Sequence, residues 1–380
     1  MNPLIRLAEL GQSIWYDFIT RDLVASGELA RLITADGLRG MTSNPTIFDK
    51  AVSRSRLYDE DIRRLADGGR SSSEIFEALA VADVRAACDA FLPLYDRSDG
   101  GDGLVSLEVA PTLAHDADAT VHEAERLWNA VSRPNTMIKI PGTRAGLSAI
   151  TSAIAAGINV NVTLLFSVER YAEVIEAFLT GLERRLERGL PVASIASVAS
   201  FFVSRVDGKV DPLLDKLDVG AQSLSRAGAR DGAPVGASLQ GKAAIANACM
   251  AYSLFERSLA QPRWSRLAEF GAKPQRPLWA STSTKDPRYS DTYYVEALVA
   301  PRTVNTLPPE TLEAYRDHGN PAVRVPDGVA AAPEQLEALA RAGIDLAQVT
   351  RELEEEGVEK FAASYRSLLA AIEAKIGQLV

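Results

Sequence analysis

The feature that most limits what this chain can become is an alternation of short apolar or β-branched runs with stretches of helical periodicity. Eight such runs stand out, at 14–18, 40–44, 104–109, 136–140, 158–163, 193–200, 278–282 and 303–307. Helical spacing follows most of them, as in 143–156 after the fourth run and 168–185 after the fifth. Strand alternating with helix implies a parallel sheet, in which each strand is covered on both faces.

A polar residue falls near the end of each run: Asp17, Asn44, Glu108, Lys139, Asn161, Ser200, Ser281 and Asn305. Several intervals between these markers approach the ~30 residues of one βα unit, and the 64 residues before Glu108 and the 81 before Ser281 leave room for extra helices. The expected fold is therefore α/β, a (β/α)8 TIM barrel with inserted helices. An open doubly wound sheet would favour a Gly-rich first turn, and no G-x-G-x-x-G occurs. After the eighth run, 317–332 reads as turn-rich, and an amphipathic pattern over 333–380 predicts a C-terminal helical extension of a single domain spanning 1–380. Two placements stay open for that extension, over the barrel mouth or as a homo-oligomer contact. Its acidic cluster, Glu352 to Glu356, reads as a solvated helix face.

Composition narrows the function classes. With 41 Lys+Arg against 50 Asp+Glu, the net charge is -9 and no compact basic run appears, which argues against a nucleic-acid partner. No apolar stretch reaches the ~18 residues of a membrane span, and Arg6 and Glu9 interrupt the start as no signal peptide would. Two isolated cysteines, Cys88 and Cys249, read as buried thiols of a reducing compartment, so a cytoplasmic location is expected. Three histidines (His115, His122, His318) are too few and too scattered to suggest a His-based metal site.

Three stretches invite over-interpretation. Gly236 to Lys242 has P-loop spacing, but Ala243 stands where a hydroxyl should hold Mg²⁺, and a plain helix start is the better reading. Asn161-Val162-Thr163 is formally a glycosylation sequon inside an expected buried strand. The segment 217–236 is the loosest in composition and reads as an exposed loop or ragged helix end.

Lys139, in Met137-Ile138-Lys139-Ile140-Pro141, is the most informative single residue. A lysine among apolar neighbours either reaches water at a strand end or is an amine whose pKa of ~10.4 is lowered by desolvation, making it a nucleophile for carbonyls. Asp17 and Glu108 are carboxylates in other apolar runs, and each alone would read as a structural ion pair. Period-two spacing aims Asn159, Asn161 and Thr163 to one side, as it does Ser106 with Glu108 and Thr42 with Asn44. Barrel enzymes gather such residues at the carboxyl ends of their strands.

Taken together, these runs resemble the transaldolase family. The resemblance rests on Gly40-Met41-Thr42-Ser43-Asn44-Pro45-Thr46-Ile47-Phe48, Ser106-Leu107-Glu108-Val109, and Met137-Ile138-Lys139-Ile140-Pro141-Gly142-Thr143. It continues through 158–167 and Ser200-Phe201-Phe202-Val203-Ser204-Arg205. It implies a (β/α)8 barrel that moves a three-carbon unit between sugar phosphates without any cofactor. It further implies that Lys139 forms a Schiff base, that Asp17 takes the C4 hydroxyl proton, and that Glu108 and Thr163 handle a catalytic water. By the same resemblance, Asn44, Asn161 and Ser200 belong to the substrate site, and Arg205 and Ser281 to the phosphate site. The better-known branch has Arg where this chain has Ser283, and Lys285 is expected to supply that charge. Rivals are a fructose-6-phosphate aldolase-like enzyme releasing dihydroxyacetone, a two-carboxylate glycosidase and a non-catalytic sugar-phosphate-binding barrel.

Overall fold

The computed structural model describes residues 2–226, 236 and 238–379. Eight parallel strands close in chain order: β1 (Gln12–Tyr16), β2 (Gly40–Thr42), β3 (Leu104–Glu108), β4 (Thr136–Pro141), β5 (Val160–Leu165), β6 (Ser197–Phe202), β7 (Arg276–Ala280) and β8 (Thr303–Leu307). The expected α/β barrel is thus the observed one. Nearly every strand residue is buried, which is why the runs read as continuously apolar and not as alternating.

Strand register fixes which side chains meet. Glu108 on β3 pairs with Lys139 on β4, and Lys139 pairs with Asn161 on β5. In-register residues of neighbouring parallel strands point the same way, so these three form one row facing the interior. Between β5 and β6 the register shifts within 162–165, and Leu164 adopts a left-handed φ of 60°. The bulge interrupts the ladder between Val162 and Leu165, after which Leu165 pairs with Phe201.

The strand boundaries correct several expectations. Asp17, Asn44 and Ser281 lie just past the ends of β1, β2 and β7 and not within them. Asn44 caps the helix Pro45–Arg54, its side chain accepting from the Ile47 N–H at 3.0 Å, so Pro45 follows as a favourable first helical residue. Asn159 precedes β5 and does not join the polar row. Its side chain donates to the Pro134 and Thr136 carbonyls and accepts from the Ala196 N–H, tying the starts of β4 and β6 together.

The stretch expected to be turn-rich is partly helical, with helix Pro309–His318 ending and helix Val325–Arg341 beginning inside it. Pro326 sits in the first turn, where its missing N–H costs nothing, although Pro333 lies within the helix interior. A last helix, Leu346–Leu379, crosses the carboxyl ends of the strands. Gly357 lets it come close: a Cβ there would stand 3.1 Å from Leu164 Cδ2, the residue that the bulge turns outward. Thr46 and Ser364 hydroxyls 2.8 Å apart link this helix to Pro45–Arg54. Glu355 and Glu356 are exposed as expected, whereas Glu352 and Glu354 are half-buried, Glu354 beside Arg170.

Cys88 and Cys249 are both free and buried, as read from the sequence. Asn161 is fully buried, which disposes of the sequon. Of the loose segment 217–236, positions 217–226 continue the helix Ser204–Arg226, and 227–235 lie outside the described residues. The P-loop-like stretch, so far as it is described, is a turn leading into helix Ala243–Leu259, and the amide groups of 239–242 are taken. The Gly241 N–H donates to Asp211 and the Ala244 N–H to Asp207, so carboxylates of the chain itself occupy the place of a phosphate. No helix among the described residues is long and apolar enough to cross a membrane, and no group of three or more potential metal-ligating side chains occurs among them.

Candidate active site

A cavity of about 920 Å³ opens at the carboxyl ends of the strands. Asp17, Asn44, Lys139, Thr163, Ser200, Arg205, Ser281 and Lys285 line it, so residues chosen from sequence reach one space from seven different elements or loops. Glu108 and Asn161 lie behind that surface. Asn161 accepts from the Ser200 hydroxyl at 2.7 Å and donates to Ser106 at 3.0 Å, a polar chain that holds its amide in one orientation.

Lys139 is 5% exposed. Its Nζ lies 3.3 Å from Glu108 Oε2 and 3.4 Å from the Ser43 carbonyl oxygen. Burial pushes the Glu108 carboxyl up to about 7, and the Lys139 ammonium opposes that rise. A carboxyl poised near neutrality beside an amine suits proton exchange with that amine. Glu108 Oε1 and Thr163 Oγ1 are buried polar atoms without a hydrogen-bond partner among the described residues. Such atoms are uncommon in folded chains. Asp17 is oriented by the Thr42 hydroxyl, which donates to its Oδ1 at 2.7 Å.

The outer cavity is built for an anion. Arg205, second residue of helix Ser204–Arg226, has no ion pair or hydrogen bond from its guanidinium among the described residues. It lies 5.0 Å from the Phe202 ring centre and 6.0 Å from that of Phe361, and burial lowers its pKa. Ser281 takes a left-handed φ of 56°, a strained conformation for a residue with a Cβ. That backbone lets its carbonyl accept the Ser204 N–H while the two hydroxyls stand 3.0 Å apart. Lys285 donates to Ser283 at 2.8 Å and is exposed on the rim.

Residues 14–372 match the family model described as transaldolase/fructose-6-phosphate aldolase. The chain belongs to the transaldolase/fructose-6-phosphate aldolase family. Relatives named transaldolase include one from Parafrankia sp. (strain EAN1pec), 49% identical over 377 residues that cover 99% of this chain and 98% of the relative. Another, from Acidothermus cellulolyticus, is 50% identical over 374 residues, covering 98% and 96%. A third, from Mycolicibacterium smegmatis, is 46% identical over 377 residues, covering 99% and 98%. Of the two placements left open for the C-terminal extension, the one over the barrel mouth is observed, and the last helix supplies site residues that the sequence reading did not name. Leu353, Glu356, Lys360 and Phe361 line the cavity, and Lys50 does so from helix Pro45–Arg54. Nothing in an amphipathic helix pattern distinguishes a residue that covers a cavity from one that packs a core.

Proposed function

We propose that this chain is a transaldolase that transfers a dihydroxyacetone unit from sedoheptulose 7-phosphate to glyceraldehyde 3-phosphate, through a Schiff base on Lys139. The products are erythrose 4-phosphate and fructose 6-phosphate. The observation that carries this is the buried Lys139–Glu108 pair on the floor of a cavity whose wall holds Arg205, unpaired among the described residues.

The chemistry follows from the geometry. Glu108 accepts the ammonium proton of Lys139, and the free amine adds to the ketose C2 carbonyl. Returned to the carbinolamine hydroxyl, that proton allows water to leave, with Thr163 and Glu108 holding the water between them. Asp17, aimed by Thr42, takes the C4 hydroxyl proton as the C3–C4 bond breaks, and the protonated imine receives the electron pair as an enamine. Asn44, Asn161 and Ser200 hold the three-carbon fragment. Arg205, with Ser281 and Lys285, binds the phosphate, because a guanidinium matches phosphate oxygens in a fork. No step requires a metal or organic cofactor.

Transfer, as opposed to release of dihydroxyacetone, requires that the enamine meet an aldehyde before it meets a proton. Phe361 over the amine favours transfer, as does the name transaldolase that the relatives carry. In this reading the last helix is part of the same functional unit, the unit spans 1–380, and the enzyme works in the cytoplasm on free sugar phosphates. Incubation with fructose 6-phosphate and erythrose 4-phosphate tests it. Formation of sedoheptulose 7-phosphate is expected, whereas cleavage without transfer would mean an aldolase.

A further inference from the structure

Two lysines that the chemistry above does not use line the large cavity: Lys50 on helix Pro45–Arg54 and Lys360 on the last helix. Both are exposed, and neither ammonium has an ion pair or hydrogen bond among the described residues. The charge around them runs against that of the chain. Six cationic side chains and three carboxylates line the cavity, on a chain whose net charge is -9. Some of these cancel at close range, since Lys139 faces Glu108 and Lys209 lies 2.6 Å from both Glu352 and Glu356. Lys50, Arg205, Lys285 and Lys360 then remain against Asp17 and Glu310.

These four cations do not form one cluster. Arg205 follows β6 and Lys285 follows β7, whereas Lys50 follows β2, which stands across the closed barrel from β6. A phosphate seated at Arg205, Ser281 and Lys285 therefore leaves Lys50 on the opposite wall, and Lys360 on the helix that crosses above. A cleft lined by one sign of charge between low-dielectric walls focuses its field into the mouth, and rim charges act on capture and on its salt dependence. We propose that Lys50 and Lys360 draw the phosphate dianion of a sugar phosphate into the mouth by charge acting at a distance, and so favour phosphorylated over neutral sugars. The proposal rests on the sugar-phosphate reading given above. Two ammonium groups ~10 Å from a dianion favour its capture roughly tenfold at low salt. Almost nothing of this survives at ~1 M salt, where the Debye length is ~3 Å. Attraction of this kind depends on the size and sign of the charge and makes no demand on contact geometry.

The test is the ionic-strength dependence of kcat/KM for fructose 6-phosphate, with erythrose 4-phosphate as acceptor and potassium chloride varied from ~0.01 M to ~1 M. Wild type is compared with the double variants Lys50→Gln/Lys360→Gln and Lys50→Glu/Lys360→Glu. Thermal melting checks that each is folded, and the single Gln variants replace a double variant that is not. At low salt the neutralised pair should lose roughly tenfold, the reversed pair roughly a hundredfold and each single neutralisation roughly threefold, because the logarithm of the loss scales with the charge change. At ~1 M salt every variant should come within about a factor of two of wild type. Borohydride trapping of dihydroxyacetone, which is uncharged, should suffer far less than trapping of fructose 6-phosphate. Losses that persist at high salt would mean direct contact and would overturn the proposal, as would equal losses for Gln and Glu variants or no loss at low salt. Turnover is read as consumption of fructose 6-phosphate, so cleavage and transfer both count. Wild type that consumes none at any salt would overturn the sugar-phosphate reading itself, and the proposal with it.

Discussion

The Lys139 nitrogen stands 5.4 Å from the centre of the Phe361 ring. One residue lies at the heart of β4 and the other on the last helix, so the reactive amine is roofed by an element that belongs to no βα unit. The same ring lies 6.0 Å from the Arg205 guanidinium carbon and so spans the amine and anion ends of the cavity. An aromatic face offers an ammonium group an attraction of ~0.5–2 kcal/mol while presenting no proton donor to an enamine.

Phe361→Ala should therefore uncouple cleavage from transfer. With fructose 6-phosphate alone, the variant is expected to release dihydroxyacetone faster than wild type, while its kcat for transfer to erythrose 4-phosphate falls. An enzymatic assay for free dihydroxyacetone measures the first and formation of sedoheptulose 7-phosphate the second. A variant that keeps the wild-type ratio of release to transfer would show that the ring does not protect the enamine.

Glu108 gives the reaction its acid limb. Its carboxyl is raised to about 7 by burial, so below that pH it is protonated and cannot relieve Lys139 of its proton. Imine formation should accelerate as pH rises through about 7, with the ionisation belonging to the Glu108–Lys139 pair as a unit. Rapid-quench borohydride trapping across pH measures this. Glu108→Gln should slow trapping by about 10²-fold or more and flatten the limb.

Arg205→Ala should raise KM for phosphorylated sugars by roughly tenfold to a hundredfold, the loss of a charge-assisted contact of ~1.5–3 kcal/mol. Unphosphorylated fructose should be affected far less. Steady-state kinetics on both substrates checks this, and equal losses would remove Arg205 from the phosphate site.

Asp207 links stability to pH away from the chemistry. It accepts from the Ala244 N–H at 2.8 Å and the Tyr294 hydroxyl at 2.9 Å, yet burial raises it to about 7, with Asp211 adding to the rise. An acid whose folded pKa exceeds its unfolded value of ~3.9 favours the fold most at low pH, and that contribution is lost as pH rises from ~4 to about 7. Asp207→Asn carries no such titration. The difference in melting temperature, variant minus wild type, should therefore grow more positive between pH 4 and pH 8, as differential scanning fluorimetry would record.

Much of this was legible in the sequence because the barrel writes itself locally. Each strand is a short apolar run, and Glu108, Lys139 and Asn161 stand out because polar groups there violate that pattern. Boundaries were less legible: Asp17, Asn44 and Ser281 resemble strand residues, since strand and loop differ by hydrogen bonds that the sequence does not display. Asn159 shares the spacing of Asn161 and Thr163 but precedes the strand, so its amide serves three backbones at the amino end of the barrel. Phe361, Lys360 and Lys50 were missed altogether, because their role depends on where one helix comes to lie. Gly357, which permits that close approach, looks in sequence like an ordinary weak point of a helix.

The central claim is that Lys139 bonds covalently to the substrate carbonyl, and intact-protein and peptide mass spectrometry after borohydride reduction with fructose 6-phosphate tests it most directly. The account predicts a single three-carbon adduct on the peptide containing Lys139, absent from Lys139→Arg, which should also be inactive because a guanidinium forms no imine. An active enzyme without any adduct, or an adduct on a different lysine, would contradict it.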